Sequence, residues 1–575
     1  MDTALNPAQR LRALDEMAGE DGVDVLVIGG GVTGAGIAMD AVTRGLRTAI
    51  VEAQDWAAGA SSRSSRLVHG GLRYLYQLDV KLVAEALHER GLLLTKLAPH
   101  LVKPQPLIWP FKLPVIERAY STLGVGMYDA MAVVGAGFRQ TVPIQKHLSK
   151  KETLHLAPAL DPDTMVGAMV YYDAKVDDAR LVVTLVRTAI QYGALAANRS
   201  AVVGFTKDPA GRVIGATVRD LETGIDRMVR AKNIINATGV WTEQTQKLAA
   251  TAGGLKVLAS KGIHIVVPRD RIEATTGMFL RTDKSVLFII PWPNGWMIGT
   301  TDTAWHESLR HPVPTSTDID YLLEQANKAL ANELTRDDII GTWAGLRPLL
   351  QPSIVDDSKS TKVSREHAVT QSAPGLVSIA GGKLTTYRVM AADAVDFALG
   401  EKQAKAQPSI TDRTPLLGAT GLDAERARAP YIAKRYDWTL ERVLGLLDRY
   451  GSDVHALLAL VEADPSLAAP LVAEPRYTRA EVAFACTHEG ALHLEDVLTT
   501  RVRLNSEHRD RGASAVEEFA SIVSPILGWD DQRRATEKDN YAARTAAELE
   551  AENQPTDAKA SKARETAPDL RPMTA

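Results

Sequence analysis

Residues 23–53 read VDVLVIGGGVTGAGIAMDAVTRGLRTAIVEA, and this stretch decides the fold. Its opening, VDVLVI, is an apolar run of the kind that forms a strand buried on both faces. Gly29, Gly31 and Gly34 follow at G-x-G-x-x-G spacing, and apolar residues then recur at helical spacing. LRTAIVEA (46–53) predicts a second strand that ends in Glu52. Strand, turn, helix and strand in about thirty residues make a βαβ unit suited to a dinucleotide. The first glycine permits the turn, the second lets backbone approach a diphosphate, and the third lets helix and strand pack closely. The diphosphate would rest at Val32 and Thr33, where free N–H groups and the helix dipole favour an anion. Glu52 is placed to accept hydrogen bonds from an adenosine ribose. The turn alone does not distinguish NAD from FAD.

At 575 residues the chain exceeds one ordinary core, so two or more domains are expected. It is 45% hydrophobic and 24% charged, the balance of an average globular protein. A net charge of −4 provides no basic field for nucleic acid. The one cysteine, Cys486, excludes an internal disulfide or a paired-cysteine redox centre. No stretch has the apolar length of a membrane span, and the first residues lack the apolar core of a secretory signal. VVGAGFRQ (133–140) imitates the fingerprint but lacks its third glycine, so no second nucleotide domain is expected. Cys486, His488 and His493 lie near Glu489 and Glu495, but their spacing on a helix would not converge on an ion, so no metal is expected.

Further along, residues 76–165 read as mostly helical, broken by the proline-rich PHLVKPQPLIWPFKLPVIERAY. Runs such as HIVVP, SVLFIIPW and GWMIGTTD predict a mainly antiparallel sheet within 255–365. From about 418 the composition turns to Ala, Leu, Arg and Glu in helical patterns. Residues 536–575 begin in a helical pattern and end polar and poor in aromatics, which predicts a disordered tail.

The segment SSRSSRLVHGGLRYL (61–75) crowds serines, arginines, a histidine and Gly-Gly into one place. With KGIHIVVP (261–268), IGTTD (298–302), GLRPL (345–349), VSREH (363–367) and GGKLTTYR (381–388), it resembles the FAD-dependent glycerol-3-phosphate dehydrogenases, from about residue 21 to 530. The resemblance implies an α/β fold: a Rossmann-like FAD-binding domain of the glycine and amino-acid oxidase group, a β-rich substrate domain and an all-α C-terminal domain. The boundaries expected are an N-terminal extension over 1–20, an interrupted FAD domain (21–75, 165–254, 366–405), a substrate domain (76–164, 255–365) and helices over 410–530. In such proteins the 61–75 segment wraps the flavin. Ser62 and Ser65 would donate to phosphate oxygens, Gly70 and Gly71 would lie against the flavin, His69 would sit at its edge, and Arg73 and Tyr74 would face substrate. Arg66 stands where the family more often has lysine. Gly239 in NATGVW (236–241) would pass close to the cofactor. Gly382, Lys383, Leu384 and Thr385 would turn backbone N–H groups toward the end of the flavin that gains negative charge.

The substrate implied, glycerol 3-phosphate, is a small dianion, which arginine forks suit well. Arg73, Arg347, Arg365 and Lys383 occupy the motifs assigned to it. Oxidation of its C2 alcohol needs a proton acceptor, for which His264 is the candidate; Arg347 and Lys383 could stabilise the developing alkoxide. The resemblance also implies a quinone acceptor and peripheral contact with the inner face of the cytoplasmic membrane. Residues 101–128, which mix Trp109, Phe111 and Tyr120 with Lys103, Lys112 and Arg118, suit an interfacial patch or equally a loop packed over the substrate domain. A homodimer is carried as the oligomeric expectation. The rivals are an oxidase that reduces oxygen to hydrogen peroxide, an enzyme for another small acid, and a flavin-binding scaffold without catalysis.

Overall fold

The computed structural model describes residues 3–72, 79–113, 116–135, 141–250, 254–282, 286–351 and 367–573, with the side chains of 116–123 and 134–135 set aside. Two sheets organise it. The first runs in the order His367–Ala373, Leu376–Gly381, Asp226–Asn236, Val23–Ile28, Thr48–Val51, Leu195–Ala197. Its inner strands are parallel, with Val23–Ile28 between Asp226–Asn236 and Thr48–Val51. Helices Val32–Thr43, Asp178–Gln191 and Tyr387–Leu399 cover it and share one apolar core. Strands Ser200–Lys207 and Val213–Asp220 extend Asp226–Asn236 as an antiparallel ribbon.

The second sheet has ten strands. Val257–Pro268 pairs antiparallel with both Gly341–Leu350 and Gly295–Gly299. The order continues through Val286–Trp292, Gly277–Arg281 and Lys103–Phe111 to Gly167–Lys175 and Leu67–Val68. Leu67–Val68 therefore carries the chain from the glycine turn directly into the second sheet.

The proline-rich stretch is not a break between helices. Lys103–Phe111 is a strand paired along its whole length with Gly167–Lys175. Pro104, Pro106 and Pro110 are all even-numbered, so their missing N–H groups fall on one edge, where pairing with Gly277–Arg281 covers only Leu107 and Ile108. This also removes two residues from the expected interfacial patch. Trp109 and Phe111 are buried, and Trp109 packs edge-on with both Phe111 and Phe279. Lys103 pairs with Asp448 at 2.7 Å, and the side chains of Arg118 and Tyr120 lie outside the described set.

Residues 410–530 are helical, with Leu422–Tyr436, Leu440–Tyr450, Arg479–Thr487 and Val516–Leu527 around two apolar clusters. The expected disordered tail is ordered instead. Asp531–Glu552 is a helix of 22 residues, and Asp557–Arg564 is a second. The tail alone has too little apolar surface to fold, but its charges meet partners elsewhere: Arg544 with Glu495 at 2.6 Å, Glu552 with Arg511, and the Tyr541 hydroxyl on the Arg511 carbonyl. A compositional reading of the segment in isolation misses such pairing.

Candidate functional site

A cavity of about 890 Å³ lies between the two sheets, in the upper part of the range for cofactor sites. Its floor is formed where parallel strands end, at Gly29, Glu52, Gly239 and Gly382, as ligand sites in such sheets generally are. Gly31 caps the helix Val32–Thr43, and Val32 and Thr33 line the cavity beside it. Gly34 does not line it. A Cβ there would stand 1.8 Å from the Gly29 carbonyl oxygen, so glycine is what lets helix and strand meet. Glu52 accepts from the Gly30 and Gln54 N–H groups, both at 2.6 Å, while burial pushes its pKa up. Ser61, which the sequence reading passed over, accepts from the Val32 N–H at 2.9 Å and steadies the helix start.

The segment that follows divides its residues between two sides. Ser65, His69 and Gly71 line the cavity. Ser62 and Gly70 do not. Ser62 is buried toward the C-terminal helices, where its carbonyl accepts from Arg503 at 3.1 Å. Gly70 backs onto Leu87 and Tyr128, donating its N–H to the Tyr128 hydroxyl at 2.8 Å. The backbone here turns repeatedly: Ser62 ends a 3-10 turn, and Arg66 and Gly71 have φ of 53° and 79°, so facing changes without a strand's period. The Thr385 hydroxyl accepts from the His69 N–H at 3.0 Å and so ties the segment to the turn at Lys383–Thr385, all of which reaches the cavity. Arg66 lies outside the cavity lining, its guanidinium over the rings of Trp292 at 4.0 Å and Trp343 at 4.7 Å. A planar cation fits that sandwich better than an ammonium would.

His264 and Arg347 come from adjacent strands of the second sheet and enter the same cavity with Lys383. The His264 ring stacks on Trp343 at 5.0 Å, and its Nε2 lies 2.9 Å from the Ser65 hydroxyl. Its Nδ1 is buried without a hydrogen-bond partner. Burial, then Arg347 and Arg66, hold its pKa well below the usual 6.5, so the ring is neutral at neutral pH. Arg347 donates to the Thr300 hydroxyl and the Thr301 carbonyl, both at 3.0 Å, and contacts Asp302 at 3.3 Å. Sequence reasoning quoted IGTTD without assigning these residues a task. Arg73, Tyr74 and Arg365 lie outside the described residues.

Among the described residues no group of three His, Cys, Asp or Glu is placed to hold a metal. His493 is occupied otherwise, its two ring nitrogens each 2.8 Å from a carboxylate, Glu222 and Glu537.

A cavity that starts at a glycine turn and a helix N-terminus, and ends at a neutral histidine among cations, defines a dinucleotide-dependent oxidoreductase. The chain belongs to the FAD dependent oxidoreductase family, whose model matches residues 24–388. Residues 409–534 match the C-terminal domain of alpha-glycerophosphate oxidase. Within the family the chain groups with the glycerol-3-phosphate dehydrogenases. It is 48% identical to glycerol-3-phosphate dehydrogenase 2 of Mycobacterium tuberculosis over 568 residues, 99% of this chain and 95% of that one. It is 36% identical to the human mitochondrial glycerol-3-phosphate dehydrogenase, across 89% of this chain and 71% of that one. The structure of glycerol-3-phosphate dehydrogenase from Bacillus halodurans, complexed with FAD, superposes with a TM-score of 0.75 at 27% identity, covering 94% of this chain and 97% of that one. FAD fits the residues present: at Gly239 an added Cβ would meet nothing within 4 Å, leaving open floor beside the strand ends, and the partnerless His264 Nδ1 stands in the same cavity.

Proposed function

We propose that this chain oxidises sn-glycerol 3-phosphate to dihydroxyacetone phosphate with FAD and passes the electrons to a quinone at a membrane surface. The observation that carries the reading is that His264, Arg347 and Lys383 line the same cavity as the glycine turn and helix start that suit a diphosphate. The names of the relatives above support the substrate.

The bound flavin would accept the hydride equivalent from C2. Everything else falls to the chain. Gly31, Val32 and Thr33 would hold the dinucleotide diphosphate, Glu52 the adenosine ribose, and the 382–385 turn the redox-active ring. Arg347, fixed by Thr300, Thr301 and Asp302, presents a preset guanidinium to the phosphate dianion or to the oxygen that gains charge. His264 takes the hydroxyl proton. A neutral imidazole has one unprotonated nitrogen, and the Trp343 stack with the Ser65 contact fixes which way the ring faces. Arrival of a dianion would raise the histidine's pKa from its depressed value, so substrate binding itself would make it a better base.

For the membrane, no helix among the described residues is long and apolar enough to cross a bilayer. Leu113 and Val166 are exposed apolar residues near the Phe111 end of its strand, where Val166 donates to the Phe111 carbonyl. They support peripheral contact better than the buried Trp109 and Phe111 do. The test is reoxidation: protein reduced anaerobically by glycerol 3-phosphate is mixed with a quinone analogue or with oxygen. Fast recovery with quinone and slow recovery with oxygen is expected. The reverse would favour an oxidase, a reading that the match of 409–534 keeps open.

A further inference from the structure

Residues 535–573 lie beyond both family matches, yet they return to the cavity. The path is fixed at several points. The Gln554 carbonyl accepts from the Ser316 N–H at 2.9 Å. Asp557 meets Lys261, a buried lysine that also pairs with Asp318 at 2.5 Å. Ala560 then packs on Val313 and Ala551. Past the last helix, Asp569 lies 2.7 Å from His311 Nε2, the Arg571 guanidinium 3.0 Å from Glu222, and the Met573 carbonyl accepts from Arg310. Arg310 and Met573 both line the cavity.

The two ends of this anchorage belong to different sheets. Arg310 and His311 follow Thr303–Ala304, which pairs with the strand that carries His264. Glu222 follows the ribbon strand Val213–Asp220 of the first sheet. Its neighbour Leu221 donates to the Arg199 carbonyl, Arg199 donates to Gln54, and Ser200 donates to the Glu52 carbonyl. Residues 569–573 therefore bridge from the second sheet to the part of the first that surrounds Glu52, across the space between them.

We infer that residues 569–573 form a wall of the cofactor site over the adenosine half of FAD and slow its release. Met573 lines the cavity between the two anchors of this segment, one on each sheet. Met573 provides an apolar cover, while Asp569 and Arg571 hold it from either side. The ion pairs are partly exposed, so each is weak alone. Together with the Arg310 contact they make opening the cost of release.

The inference rests on FAD as the occupant, and the test separates the two. The flavin-loaded full chain is compared with a chain ending at Thr566, and with the double variant Asp569→Asn/Arg571→Met. Dissociation is followed by the rise of free-flavin fluorescence, and folding by circular dichroism of each protein. We expect release about tenfold faster in both variants, with the fold retained. Equal release rates in full chain and double variant would overturn the inference, whether or not the truncated chain folds. A full chain that binds no flavin would sink the cofactor reading itself.

Discussion

Replacing His264 with alanine tests the chemistry most sharply, because the structure gives this side chain one polar contact and one open nitrogen. Its nearest described polar neighbours are poor substitutes: Ser65 is a hydroxyl, and Arg347 is a cation held by Thr300 and Thr301. Loss of a positioned proton acceptor costs about 10²- to 10⁴-fold in rate, or roughly 3–5 kcal/mol of barrier. The assay is anaerobic bleaching of bound flavin by glycerol 3-phosphate, scaled to flavin content so that cofactor loss is not mistaken for lost chemistry. The pH profile adds a sign. The pKa is depressed, so the neutral, competent form persists as pH falls through 6.5, and kcat/KM of the wild type should decline only well below that value. Ser65→Ala keeps the base but frees the ring, and should lower kcat by about tenfold, the order of one lost hydrogen bond. A His264→Ala protein that bleaches within about tenfold of the wild-type rate would refute the assignment.

Other outcomes follow from the same geometry. Arg347→Lys keeps the charge but loses the fork that meets Thr300 and Thr301, so KM for glycerol 3-phosphate should rise by about tenfold or more, measured by steady-state kinetics. Gly34→Val should abolish flavin binding or folding, read by absorbance and circular dichroism, since even a Cβ collides with the Gly29 carbonyl. Tyr128→Phe removes the hydroxyl between the Gly70 N–H and Asp173, and should cost about 1–3 kcal/mol in denaturant unfolding. Burial and Arg199 push His493 down, but Glu222 and Glu537 outweigh them and raise its pKa to about 9. A raised pKa stabilises fully below the unfolded value of 6.5 and is lost as pH climbs toward 9, so unfolding scans should show about 3 kcal/mol less stability at the alkaline end, absent in His493→Gln.

Much of the backbone around the candidate nucleotide site was legible in the sequence because its geometry admits few residues. A glycine turn between a buried strand and a helix admits few residues, and Gly29, Gly31, Gly34 and Glu52 stand at the turn, the helix start and the strand end that the pattern requires. The 382–385 turn was legible for a similar reason. What failed depended on facing rather than on type. Ser62 and Gly70 have the right chemistry but face away from the cavity, and a segment of turns with so little apolar pattern offers no period from which to read facing. Trp109 and Phe111 pack inward, as the alternative of a segment packed over the substrate domain had it, but as a strand and not a loop, with the prolines along one weakly paired edge. The tail was misread because its partners, Arg511, Glu495 and Glu222, are far away in sequence.

The central claim is that this flavin site oxidises glycerol 3-phosphate. Its most direct measurement is the visible spectrum of the purified protein under anaerobic conditions, before and after adding substrate. Flavin absorbance should bleach with glycerol 3-phosphate and stay unchanged with glycerol or an amino acid. Bound flavin that glycerol 3-phosphate fails to bleach would contradict it.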